Sequence, residues 1–393
     1  MNQKKKFETL AVRLQAKRSL HREHSVPVFE TSSYVFETAE EARAVFAEEI
    51  PGNIYTRFAN PNSDEFISKL CALEDAEDGI ATASGMAAVF IGLYALLQPG
   101  DNILVSRQIF GTTHLLFTQV LSKWGISHTY VDANNKQEWE SNILPTTRLI
   151  YAETPSNPGL DIIDLKWLGK LSQKHNLYLV IDNCFATPYL QNPMHYGADL
   201  IIHSATKFID GQGRTISGAV LGNKEIIREV RMLSKIIGPV MSPHTAWILS
   251  KSLETLGVRM ERHCSNALAL ARFLEKHAEA VWVKYPFLPS HPQYKLARKQ
   301  MKLGGGLVTF ELKGGMKRAH RFIDALQMMT ITSNLGDTRT SVTHPVTTTH
   351  SKLTPEERKE SGITDGMIRV SVGLEHIDDI IADFEQAIRQ SGK

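Results

Sequence analysis

Leu177-Tyr-Leu-Val-Ile-Asp182 is apolar until its last residue, a carboxylate, and Asp199-Leu-Ile-Ile-His-Ser-Ala-Thr-Lys207 repeats the pattern, ending in hydroxyls and an amine. Short runs with no polar alternation read as strands buried on both faces, which is the pattern of a parallel sheet covered by helices. Similar runs lie at Asn102 to Val105, Arg148 to Ala152 and Gly218 to Leu221. Stretches of helical period, Thr112 to Trp124 and Leu165 to His175, separate several of them. The order predicts an α/β fold with a large, mostly parallel sheet. Ligands of such sheets bind beyond the carboxyl ends of the strands. Asp182 and Lys207 are therefore expected to face one crevice.

Working outward, residues 1–62 lack a clear period and end in Tyr55-Thr-Arg-Phe-Ala-Asn-Pro-Asn62, which reads as an arm laid across another surface. Residues 63–256 hold the predicted sheet. A long helical stretch from Ser242 to Ala278 leads into residues 257–393, read as a smaller α+β unit. In that unit Leu307 to Leu312 and Met367 to Val372 read as strands, and Met316 to Leu326 and Ile377 to Gln390 as helices.

The chain has 393 residues, 42% of them hydrophobic, and a formal net charge of +2. That near-neutral balance argues against nucleic acid or an anionic membrane as the main partner. No apolar run approaches the roughly 20 residues of a membrane helix, and no apolar segment follows the basic run Lys4 to Lys6 as a secretory signal requires. Cys71, Cys184 and Cys264 form no CxxC pair. Such sparse thiols fit a reducing cytoplasm.

A carboxylate facing an amine at the edge of a sheet has a defined use. A lysine with a lowered pKa forms an imine with an aldehyde, and pyridoxal 5′-phosphate (PLP) needs an acid partner for its ring nitrogen. Ser204 and Thr206 can donate to a phosphate. Taken singly, Asp182 reads as a turn cap and Lys207 as a surface lysine; taken together with the hydroxyls, they favour the cofactor. Thr82-Ala-Ser-Gly-Met-Ala-Ala88 opens an apolar helix running to about Leu97, and such a small-residue turn suits a phosphate, although small residues also cap helices without any ligand. His344 and His350 lack a third ligand at useful spacing, so no metal site is expected. Gly304-Gly-Gly306 lacks a nucleotide-loop pattern.

These motifs together resemble the Cys/Met-metabolism family of PLP-dependent enzymes. The match runs over nearly the whole chain, through Tyr55-Thr-Arg57 with Asn60-Pro61, Ser84-Gly-Met86, Glu153-Thr-Pro-Ser-Asn-Pro158, Asp182-Asn, Ser204-Ala-Thr-Lys207 and Ile368-Arg-Val-Ser-Val-Gly-Leu-Glu375. The resemblance implies the aspartate-aminotransferase-like fold, fold type I. It implies that Lys207 carries PLP and shuttles protons, that Asp182 holds the ring nitrogen, and that Gly85, Met86, Ser204 and Thr206 hold the phosphate. Tyr55 and Arg57 would reach the phosphate of a neighbouring subunit, so a homotetramer built from dimers with shared sites is expected. Asn157 would contact the cofactor or substrate, and Arg369 would clamp the substrate carboxylate.

Two departures narrow the expectation. Where the family places a stacking tyrosine, this chain has Phe110, in Arg107-Gln-Ile-Phe-Gly-Thr-Thr113. Asn334, in Thr332-Ser-Asn-Leu-Gly-Asp337, and the run Thr343-His-Pro-Val-Thr-Thr-Thr-His350 look more like the family's sulfhydrylases than its γ-lyases. The implied activity is γ-replacement of a homoserine ester, O-succinylhomoserine by preference, with sulfide to give homocysteine for methionine biosynthesis. Cystathionine γ-synthesis ranks second, a γ-lyase third, and a catalytically silent binding protein is the non-enzyme alternative. Arg107 is expected near the site, where it could favour a second carboxylate.

Overall fold

The computed structural model describes residues 5–392; Lys4 of the basic run lies outside them, while Lys5 and Lys6 are exposed. Seven strands build the first sheet: β1 (Asp78–Thr82), β2 (Asn102–Ser106), β3 (Ser127–Val131), β4 (Thr147–Glu153), β5 (Tyr178–Asp182), β6 (Leu200–His203) and β7 (Gly218–Gly222). Their spatial order is β1-β7-β6-β5-β4-β2-β3. The neighbours from β6 through β3 run parallel, whereas β7 is antiparallel to both β6 and β1. The sheet is thus mostly parallel with one reversed strand.

The unalternating runs are explained by two covered faces. On β5, Leu179 and Ile181 pack with Leu104, Ile150 and Leu168 on one side. Val180 packs with Ile202, Val220 and Ile91 on the other. All five β5 neighbours on β4 pair in register, ending with Glu153 opposite Asp182. From β2 the chain moves outward to β3 and then returns to place β4 on the other side of β2. This reversal is a topological switch point, where the carboxyl ends of open parallel sheets form a ligand crevice.

The second sheet has the order β10-β11-β12-β9-β8, from β8 (Ala280–Lys284), β9 (Leu307–Leu312), β10 (Thr330–Ile331), β11 (Ser341–Thr343) and β12 (Met367–Ser371). Helices Gly315–Ala325 and Ile377–Ser391 are close to the expected spans. Their apolar faces meet the sheet through Phe322, Phe384 and Phe310.

Three expected helices differ. Thr112 to Trp124 is α-helical only over Gly111–Leu115, then π over Leu116–Val120 and 3-10 over Leu121–Trp124. The Thr118 hydroxyl donates to the His114 carbonyl and that of Ser122 to the Thr118 carbonyl, contacts that loosen a regular helix. Ser242 to Ala278 is two helices, Pro243–Leu253 and Leu256–Lys276. The bend at Glu254 and Thr255 sends the Glu254 carboxylate to Lys69 and Lys251. The helix from Gly85 ends at Tyr94, a turn early. The arm also holds two helices with little sequence signal, Phe7–Arg13 and Ala39–Phe46.

The arm is fastened to the body through a buried ion pair. Glu65 accepts the Ala16 N–H and the Ser250 hydroxyl, and lies 3.1 Å from Lys69 Nζ with both side chains fully buried. Removing one member strands a buried charge, so Lys69→Met is expected to destabilise the chain by about 3–5 kcal/mol; a thermal or urea unfolding curve checks this. Among the described residues no helix is long and apolar enough to cross a membrane.

Candidate active site

The switch point opens into a cavity of about 1090 Å³ lined from both sheets. Its size is at the upper end of small-molecule pockets, about 300–1,000 Å³, which leaves room for a cofactor and a substrate together. Lys207, Asp182, Gly85, Met86, Ser204, Thr206, Phe110, Asn157, Asn334 and Arg369 all line it. The sequence stretches that suggested chemistry therefore converge.

Lys207 follows β6 and its amine donates to Asn334 Oδ1 at 2.6 Å. Burial lowers its pKa below the ordinary value, with the Arg369 charge acting the same way and Cys184 opposing. An amine attacks an aldehyde only when neutral. The lowered pKa extends the neutral range downward in pH, so the rate at which stripped enzyme takes up PLP is expected to rise with pH. It should level off below the ordinary lysine value of 10.5. Stopped-flow absorbance over a pH series measures the plateau.

Two carboxylates end neighbouring strands. Asp182 Oδ1 accepts the Cys184 N–H at 3.0 Å and Oδ2 the Tyr151 hydroxyl at 3.3 Å. Glu153 Oε2 accepts the Phe110 N–H at 2.8 Å. Burial raises both pKa values. Glu153 is pushed the further, because the Asp182 charge adds to its burial and outweighs the Phe110 N–H and the Arg369 guanidinium. Burial and the neighbouring charge therefore favour the proton on Glu153 and the charge on Asp182. Glu153 was missed as a site residue although it carries the signal that marked Asp182, a carboxylate closing an apolar strand. Tyr151 was missed because a buried tyrosine inside a strand reads as core.

The phosphate end is built by close approach. Ser84 caps the helix Gly85–Tyr94 by accepting the Ala87 N–H at 3.1 Å. The first N–H groups of a helix lack carbonyl partners and suit an anion. A Cβ on Gly85 would lie 2.6 Å from Ser204 Cβ, so only glycine lets this turn meet the strand end. Thr206 Oγ1 donates to Ser217 O at 3.1 Å and accepts the Ser217 N–H at 2.9 Å. To donate to a phosphate it must turn away from Ser217. These features fit PLP, with a buried amine for its aldehyde, a carboxylate for its ring nitrogen and a helix start for its phosphate.

At the opposite end, Arg369 is 2% exposed, with Nη1 donating to Asn157 Oδ1 at 2.9 Å and Nη2 to Ser333 O at 3.0 Å. Asn334, which the family resemblance also offers as a substrate contact, lines the cavity and accepts the hydrogen bond of the lysine amine. Tyr55 and Arg57 do not reach this cavity within the chain. Tyr55 is 40% exposed, and Arg57 lines a separate cavity of about 260 Å³ and donates to the Lys235 carbonyl. Arg107 is not among the residues that line the cavity; its guanidinium pairs with Glu138 at 2.8 Å and lies 3.6 Å from Glu360. His344 lies 2.9 Å from Thr347 Oγ1 and His350 2.9 Å from Thr349 Oγ1. Among the described residues no three His, Cys, Asp or Glu side chains are grouped to hold a metal.

The profile of the Cys/Met metabolism PLP-dependent enzymes matches residues 8–389. The chain belongs to that family. An O-succinylhomoserine sulfhydrylase of Pseudomonas aeruginosa is 47% identical, over 97% of this chain and 95% of its own. An L-methionine gamma-lyase of Pseudomonas deceptionensis is 43% identical over 92% of each chain. A cystathionine gamma-lyase from Lactobacillus plantarum, solved with L-serine, superposes with a TM-score of 0.93 at 32% identity over 99% of this chain and all of its own. The fold is therefore that of the fold type I PLP enzymes, and the cofactor is PLP. When bound, PLP supplies an electron-withdrawing ring that stores the electron pair released at the substrate's Cα.

Proposed function

We propose that the enzyme exchanges the acyloxy group of O-succinyl-L-homoserine for sulfide, giving L-homocysteine. The observation that carries this reading is the wall around Lys207. Phe110 offers a ring face without a phenol, and Asn334 holds the lysine amine. The 47% identity to an O-succinylhomoserine sulfhydrylase supports it. In this reading Arg369 and Asn157 fix the substrate carboxylate by a bidentate, charge-assisted contact. Lys207 takes the proton from Cα and hands it on, to the cofactor or to water, before it takes one from Cβ; the carboxylate leaves from Cγ, hydrosulfide adds there, and the two protons are returned to Cβ and Cα by way of Lys207. With no phenol at Phe110, the leaving group is served by Lys207, by Tyr55 of a neighbour or by water.

The identities of 40–43% to methionine gamma-lyases make a γ-lyase the second reading. Supplying O-succinylhomoserine with sulfide or cysteine, and methionine alone, separates the cases. The proposal predicts homocysteine as the fastest product; cystathionine formed as fast, or a 2-oxo acid from methionine formed faster, defeats it. Tyr55 and Arg57, exposed and not part of the Lys207 cavity, support arms that complete a neighbour's site, in the homotetramer of dimers that the family resemblance implies. Three buried free thiols suit a reducing cytoplasm.

A further inference from the structure

Three cations line the Lys207 cavity: Lys207, Arg369 and Arg214. The first two have tasks in the proposed reaction, and Arg214 has none. It lies on the loop between β6 and β7, with Thr215 and Ile216 beside it on the cavity wall. Its side chain is 37% exposed, so a guest in the cavity can touch it.

The guanidinium is held in place. Its Nε donates to Asp210 Oδ1 at 3.0 Å, its Nη2 to the Asp210 carbonyl at 3.1 Å and also to Ser252 Oγ, and its backbone N–H to Asp210 Oδ2 at 2.7 Å. No bond of Nη1 is seen among the described residues. A guanidinium fixed on one edge presents its free edge with little further loss of freedom.

Pairing with Asp210 would cancel the charge if the two stood alone, but they do not. Arg259 is buried beside them and, among the described residues, donates to uncharged oxygens: the carbonyls of Phe208 at 2.6 Å, Ser252 at 3.0 Å and Ile209 at 3.2 Å, and the Thr255 hydroxyl. Burial lowers its pKa to about 10, opposed by Asp210, so it stays charged at neutral pH. Two arginines against one fully buried aspartate leave one positive charge. Asp337, packed near Gly213, is paired with Arg339 at 2.9 Å and does not cancel it. The cavity wall therefore carries a fixed, uncompensated cation besides the two assigned to the proposed reaction.

Of the possible leaving groups, methylthio and acetyl carry no charge to meet it, whereas succinyl ends in a carboxylate. We propose that Arg214 receives the terminal carboxylate of the substrate's acyl group and selects a dicarboxylate half-ester over an uncharged acyl ester. This rests on the γ-replacement reading above.

The test compares kcat/KM of the holoenzyme for O-succinyl-, O-acetyl- and O-phosphohomoserine, each with sulfide. Hydrogen bonds to charged groups lead to an expected fall in the succinyl-to-acetyl ratio, on Arg214→Gln, of about tenfold to a hundredfold, carried mainly by KM. Arg214→Lys retains the Asp210 ion pair, and should fall between the two if Arg214→Gln folds poorly. A ratio that moves less than threefold in both variants overturns the proposal, as does a wild-type preference for the acetyl or phosphoryl ester. If no ester yields homocysteine, the γ-replacement reading fails instead. The site is then judged by equilibrium binding of O-succinylhomoserine against O-acetylhomoserine: a preference for the former that is lost in Arg214→Gln upholds it, and equal binding overturns it.

Discussion

Lys207→Ala is expected to turn over at least about 10³-fold more slowly, since a positioned general base contributes about 10²–10⁴-fold and this amine serves more than one proton transfer in the proposed reaction. The effect should lie in kcat, because the cavity walls that bind substrate, Arg369 and Asn157, keep their mutual bond without the lysine. Borohydride should fix PLP to the wild-type chain at Lys207, mapped by peptide mass, and not to the variant. The fold should survive. Among the described residues the Lys207 amine has one hydrogen-bond partner, Asn334, and its side chain lines the cavity. Added methylamine is expected to restore part of the rate, as a small amine can occupy the vacated space. Turnover within tenfold of wild type, without added amine, would remove Lys207 from the mechanism.

The large sheet was legible because its strands obey a simple rule: a strand covered on both faces is apolar throughout. β2, β4, β5, β6 and β7 were all visible on that ground. Strands that break the rule were not. β3, Ser-His-Thr-Tyr-Val131, sits at the sheet edge and is mostly half-exposed, and β1 contains Gly79 where a Cβ would lie 2.4 Å from Leu221. Their place is set by tertiary pairing, which no local pattern records. The reversal of β7 was equally hidden, since direction depends on the loop that carries Arg214 rather than on the strand's composition.

The site divides in a similar way. Residues at strand ends and in short motifs could be placed from the chain alone, and Asp182, Lys207, Gly85 and Arg369 meet as expected. Arg107 is engaged by Glu138 and Glu360, distant in sequence, a competition for its guanidinium that the chain alone does not show. Arg214 went unnoticed for the complementary reason. Its value as a cation depends on Arg259, forty-five residues further on and buried under it. Charge balance is a property of neighbours in space.

The second large effect is expected at Asp182. Asp182→Asn preserves shape and both observed contacts in outline, since the amide oxygen can still accept the Cys184 N–H. The charge is what disappears. A carboxylate about 4 Å from a cationic ring nitrogen is worth about 4 kcal/mol at an effective dielectric of 20, so the rate should fall about 10³-fold. Glu153 lies one strand away, opposite Asp182, and its burial and the Asp182 charge both disfavour its ionised form, so it is a poor replacement. Removing the Asp182 charge removes the second cause of that raised pKa and leaves burial, the first, in force. Glu153→Gln should therefore cost far less than Asp182→Asn in the wild-type background, and the double variant should be little worse than Asp182→Asn alone. Measured kcat values for the four proteins form a cycle. A Glu153→Gln loss as large as that of Asp182→Asn would place the working charge on Glu153 and reverse the assignment of the pair.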